Sequence, residues 1–190
     1  MTAVLLIWIL IAVAVLVLLA LVLVFNRLVA LRNRVDNGWS QIDVQLRRRY
    51  DLIPNLVETV RGYASHERQT FEQVTQARAR ALDATGVEGQ AQAENAVSRN
   101  LRQLLAVAEQ YPDLKANANF LALQEELTGT ESKIAYARQF YNDQVMRMNT
   151  LIGSFPANLV ARSFRFAPRP FFDIEEPARA PVQVDLAVDE

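Results

Sequence analysis

Cysteine is absent from the 190 residues. That excludes disulfides, thiol chemistry, thiolate metal sites and a lipidated cysteine. Histidine occurs once, as His66, too few for a His-rich metal site. Six glycines and seven prolines do not suit collagen, low-complexity sequence or a turn-rich all-β fold. An excess of one charge is also missing. Twenty Lys+Arg face 21 Asp+Glu, a net charge of −1, so the whole chain has no general attraction for nucleic acid.

What the sequence does have is one long hydrophobic run. Residues 3–25 are all apolar, with no charge, Pro or Gly. Without them the other 167 residues are about 44% apolar, the usage of an ordinary soluble domain. The length allows a membrane segment and one such domain. As a helix the run is ~34 Å long at ~1.5 Å per residue, enough to cross a ~30 Å hydrocarbon core. A cleaved signal peptide needs a basic start and a small-residue cleavage site. Met1-Thr2 carries no charged side chain, and Phe25-Asn26-Arg27-Leu28 offers no such site. An uncleaved anchor over 1–25 is expected. Arg27, Arg32, Arg34 and Arg47-Arg48-Arg49 follow the run. The positive-inside rule then leaves the N-terminus outside and the domain in the cytoplasm.

From Asn26 to Ile152 apolar residues recur every three or four positions. Leu28, Leu31, Val35, Trp39, Ile42 and Leu46 make one stripe; Val57, Val60 and Ala64, then Phe71 and Val74, continue it. Val97, Leu101, Leu104, Ala108 and Tyr111 make another, and Phe120 through Ile152 a last one. Such stripes define amphipathic helices, and short links between them imply antiparallel packing. The expected fold is all-α: an N-terminal transmembrane helix, then an up-and-down four-helix bundle over 26–156. Its first helix could continue the span as a rigid stalk.

The breaks are expected at three places. Gly86, with Gly89, suits a C-cap before residues 88–111, and Pro112 suits the first turn of a last helix. Pro54 points to a break or sharp kink near 51–54, although the apolar stripe stays in phase across it. Thr128-Gly129-Thr130-Glu131 has capping-box spacing, but reads better as the interior of a long helix. Residues 157–174 form a Phe/Arg-rich segment, and 175–190 read as a disordered acidic, Pro-containing tail.

Candidate sites are few. His66 beside Glu67 could be a base with its acid, but neighbours on a helix face different ways, so a surface role is expected. Glu125, Glu126 and Glu131 could ligate metal, yet a carboxylate di-metal bundle needs Glu-x-x-His on two helices, and none occurs. Arg47, Arg48 and Arg49 could meet anionic head groups, another subunit or only water; a straight helix puts them over ~30 Å from the span. Phe164, Phe166, Phe171 and Phe172, among Arg162, Arg165 and Arg169, would either pack back on the bundle end or form a membrane or subunit patch. Asn142 and Asn149 share a face and are expected to flank the core in water, a buried register-setting layer being the other reading. Tyr63 and Tyr141 read as core-edge aromatics.

Longer motifs carry a resemblance. Residues Leu31-Arg32-Asn33-Arg34-Val35-Asp36-Asn37-Gly38-Trp39-Ser40-Gln41-Ile42-Asp43 lead through Arg48-Arg49-Tyr50-Asp51-Leu52-Ile53-Pro54-Asn55-Leu56-Val57 to Gly62-Tyr63-Ala64-Ser65-His66-Glu67. Tyr141-Asn142, Leu151-Ile152 and Phe155-Pro156-Ala157-Asn158-Leu159 follow. Over roughly 26–172 the chain resembles the LemA family of bacterial membrane proteins. It departs at Gly38, where the family often has Ala, and at Arg165, where it often has Gly between two Phe. The resemblance implies an up-and-down four-helix bundle anchored to a bacterial inner membrane, with a short N-terminus outside and the bulk of the chain inside. It implies no enzyme activity, and its magnetosome relatives suggest membrane organisation.

The expected function is a non-enzymatic, membrane-anchored scaffold that self-associates as a homo-oligomer on the lipid bilayer. The alternative is an adaptor or sensor docking a membrane protease or signalling protein. No cofactor, metal, nucleic acid or small-molecule substrate is expected.

Overall fold

The computed structural model describes residues 1–173; the expected tail, 175–190, lies outside them. The described residues are helical, without a strand. The elements are α1 (Thr2–Arg61), α2 (Arg68–Asp83), α3 (Gly86–Ala108), α4 (Pro112–Lys115), α5 (Ala118–Gly153) and α6 (Ala157–Ser163).

Helix α1 runs 60 residues without interruption, so the apolar run and the first domain helix are one rod. Its most apolar window is 0% buried by protein. A core helix of a soluble domain would be covered; a continuous apolar surface this large needs lipid or another partner. From Leu28 onward the buried positions Leu28, Leu31, Val35, Ile42 and Leu46 follow the stripe read in the sequence.

Pro54 does not break this helix, which runs on through it to Arg61. Proline lacks the N–H that would bond the carbonyl four residues back, here that of Tyr50. Arg78 of α2 supplies the missing donor: its Nε reaches Tyr50 O at 2.7 Å. The orphaned carbonyl is satisfied from outside the helix, and Ile53 and Leu56 stay in the core.

Helix α5 runs antiparallel to α1, as the contacts Gly38 with Tyr141 and Arg48 with Glu126 show. At Gly38 a Cβ would stand 3.2 Å from the Tyr141 Cα, so the glycine lets the two backbones approach. The α2–α3 hairpin packs beside this pair, and α6 folds back on the part of α1 that adjoins the apolar run. Two other boundaries differ from expectation. Gly86 does not cap the preceding helix; with φ +76° it opens α3. Pro112 begins only the four-residue α4. The last long helix starts later, where Asn117 Oδ1 accepts from the N–H groups of Asn119 and Phe120. Residues 128–131 lie inside α5, as read.

Candidate functional site

Three consecutive arginines on a helix point ~100° apart, and the structure separates Arg47, Arg48 and Arg49 accordingly. Arg47 is exposed and pairs with Asp43, one turn back, at 2.9 Å. Arg48 is half exposed and meets Glu126 of α5 at 2.7 Å. Arg49 is buried, its side chain 2% exposed. The three therefore do not form one basic face. Arg49 is in helical phase with Ile42, Leu46 and Ile53, a spacing that marks a core position.

Around Arg49 the helices converge. Its guanidinium contacts Glu94 Oε2 at 3.1 Å, Ser98 Oγ at 2.8 Å and Glu131 Oε1 at 2.9 Å. Tyr50 donates its hydroxyl to Glu94 Oε1. Gln90 donates to Tyr50 Oη at 2.8 Å and to Glu94 at 3.2 Å. Burial pushes the Glu94 carboxyl up to about 7; Arg49 opposes this and Glu131 adds to it. Two of the three glutamates considered for a metal, Glu126 and Glu131, are ion-paired to Arg48 and Arg49. This network ties α1, α3 and α5 together and can change its charge near neutral pH. Tyr50, Gln90 and Glu94 were not singled out from the sequence. The available signal was Glu94 standing in phase with Ala91, Val97 and Leu101 on an apolar stripe.

The Phe/Arg-rich segment divides into two parts. Residues 166–172 lie as an extended strap along α5. Asn149 Nδ2 donates to Arg169 O at 2.8 Å, and Arg169 N–H donates to Asn149 Oδ1 at 2.9 Å. Asn142 does the same to Phe172, at 3.1 and 2.9 Å. Tyr141 donates its hydroxyl to Pro170 O at 2.9 Å, and Arg169 reaches Asp36 at 3.0 Å. Seven helical residues rise ~10.5 Å, and three extended residues span about 9–10 Å. The two asparagines therefore meet backbone amides three apart in register. They are neither a solvated flank nor a register layer between helices.

Phe172 is fully buried and packs edge-on against Trp39; Phe171 is exposed. Phe164 packs tilted and Phe166 edge-on against Phe25, at 4.8 and 5.9 Å between ring centres. The four phenylalanines thus go to different places, one into the core and two against the end of the apolar run. Tyr63 is partly exposed and accepts from Asn117 at 3.0 Å, and His66 lies in the turn before α2. An open groove of ≈ 590 Å³ lies between α1 and α5, lined by Val44, Lys133, Tyr136 and Phe140 among others.

The LemA family model matches residues 38–186. The chain is 28% identical over 163 residues to Protein LemA of Metamycoplasma hominis, covering 83% of this chain and 72% of that protein. It is 24% identical over 180 residues to Magnetosome protein MamQ 2 of Paramagnetospirillum magneticum. It is 23% identical to Magnetosome protein MamQ of Magnetospirillum gryphiswaldense. Each of these alignments covers 81% of this chain and 66% of the magnetosome protein.

Proposed function

We propose, from the premise that this chain belongs to the LemA family, that it is a non-enzymatic scaffold fixed to a membrane. In this reading α1, α2, α3 and α5 form one up-and-down bundle on the cytoplasmic face of a bacterial inner membrane, and copies associate laterally to organise it. One observation carries the proposal: α1 passes from the apolar run into the domain as a single helix. A rigid mount suits a protein that positions mass beside a bilayer. The named magnetosome relatives support membrane organisation. The exposed Val44, Tyr136 and Phe140 offer a lateral contact.

The test is native mass measurement of the full chain extracted in mild detergent, over a range of concentrations. Oligomers are expected, with cross-links in cells between copies of the chain. A strict monomer, or cross-links to one foreign protein alone, overturns the scaffold in favour of an adaptor. Side is tested separately with Ser65→Cys, unique in a chain without cysteine. An impermeant maleimide should label it only after the cells are opened.

A further inference from the structure

We infer that α6 and its flanks form a collar that seats in the head-group layer of an anionic leaflet, with Arg162 and Arg165 on lipid phosphates. The inference rests on α1 crossing the bilayer.

Position comes first. Val160 and Ala161 of α6 pack with Leu28, and Val24 and Phe25 close over them. Val24 and Phe25 are the last two residues of the apolar run. Helix α6 is therefore held level with the end of the span, where hydrocarbon gives way to head groups.

The outward face has the composition of that layer. Phe155 is 80%, Leu159 55% and Phe164 62% exposed, and Arg162 shares the outer face of α6 with Leu159. Aromatic and aliphatic side chains beside arginines are the makeup of an interfacial helix. Charge is one-sided here, unlike in the chain as a whole. Residues 22–35 and 153–172 hold six arginines and no Asp or Glu. Arg32 lies over the Phe166 ring and Arg169 pairs with Asp36. The exposed Arg27, Arg34, Arg162 and Arg165 remain to face an anionic surface.

Backbone geometry singles out Arg165. Phe166 N–H bonds Ala161 O at 2.9 Å and Arg165 N–H bonds Arg162 O at 3.3 Å, a Schellman ending whose left-handed position favours glycine. Arg165 occupies it at φ +58°. Such a conformation disfavours a side chain with a Cβ. A charged residue kept where glycine would be at ease points to a role for its side chain.

The test uses the full chain with Ser163→Cys, on the outer face of α6, carrying a fluorophore. It is reconstituted in phosphatidylcholine vesicles with or without phosphatidylglycerol and with head-group nitroxide lipid as quencher. Quenching is expected to rise with phosphatidylglycerol and to fall at high salt. Near a charged surface each arginine shifts the seated-to-unseated ratio about five-fold, so R162Q with R165Q should lower it about 25-fold. R102Q, far along α3, should not change it. R165G separates charge from fold: it relieves the backbone yet should lose as much seating as R165Q. Quenching that ignores lipid charge, or survives R162Q/R165Q, overturns the collar, as does full recovery in R165G. Concentration-dependent self-quenching without lipid quenching also overturns it, in favour of a contact between copies. Flotation with the vesicles in high salt reports the span independently, so failure of the anchor and failure of the collar are distinguishable.

Discussion

Glu94 decides how the core responds to pH. Its folded carboxyl titrates at about 7, against 4.5 when unburied. Between those values the folded state holds more proton than the unfolded one, so this group's contribution to stability falls as pH rises through the window. The full shift corresponds to about 3 kcal/mol. Thermal unfolding of the detergent-solubilised chain should therefore show higher stability at pH 5 than at pH 8. Glu94→Gln, which can still bond Tyr50 and Gln90, should flatten the profile; an unchanged slope would place the titration elsewhere. Arg49→Met should cost about 3–5 kcal/mol at pH 8, where it strands a buried carboxylate. At pH 5 the cost should be much smaller, because Glu94 is already neutral. In the sequence Arg49 reads as one of three equal charges. Only its phase with Ile42, Leu46 and Ile53 marks it as inside, and its partner Glu94 stands 45 residues away.

At the scale of elements, most helices were legible because apolar spacing reports a buried face directly. Val97, Leu101, Leu104 and Ala108 lie where the stripe placed them, as do Tyr141, Val145 and Met148. The break expected at Pro54 is absent, and the donor that takes the freed Tyr50 carbonyl, Arg78, stands 24 residues after the proline. Arg78→Ala should cost about 1–3 kcal/mol by stranding the Tyr50 carbonyl. In a Pro54→Ala background the restored N–H can take that carbonyl, so the same substitution should cost far less. A coupling near zero in that double-mutant cycle would deny the repair. The strap was illegible for a similar reason. An asparagine has one donor and one acceptor whether it meets water or a peptide group. Only the match of seven helical to three extended residues shows which. Asn142→Asp keeps the acceptor for the Phe172 N–H but sets a carboxylate against the Phe172 carbonyl. Hydrogen exchange of residues 169–173 should rise at least ten-fold in that variant, with α2 and α3 unaffected.

For the whole molecule, the apolar run sets a candidate span apart from a remainder of ordinary composition; how rigidly the two are joined depends on contacts far apart in sequence. Helix α1 leaves the apolar run at Asn26 and ends at Arg61, so its outer part is ~54 Å long at 1.5 Å per residue. That stretch is helical throughout, with the Tyr50 carbonyl beside Pro54 taken by Arg78 and the base packed against α6. A fluorophore on Ser65→Cys, just past the far end, should therefore stand about 50 Å above the bilayer by energy transfer to head-group acceptors. Its distance distribution should be narrow, whereas the same label on Ser163→Cys should lie at the lipid surface. A helix that bent at Pro54 would bring the far label closer, and a loose joint after Phe25 would broaden both distributions. Either result would mean that the domain is tethered rather than mounted, and a tether cannot fix the spacing or tilt of neighbouring copies.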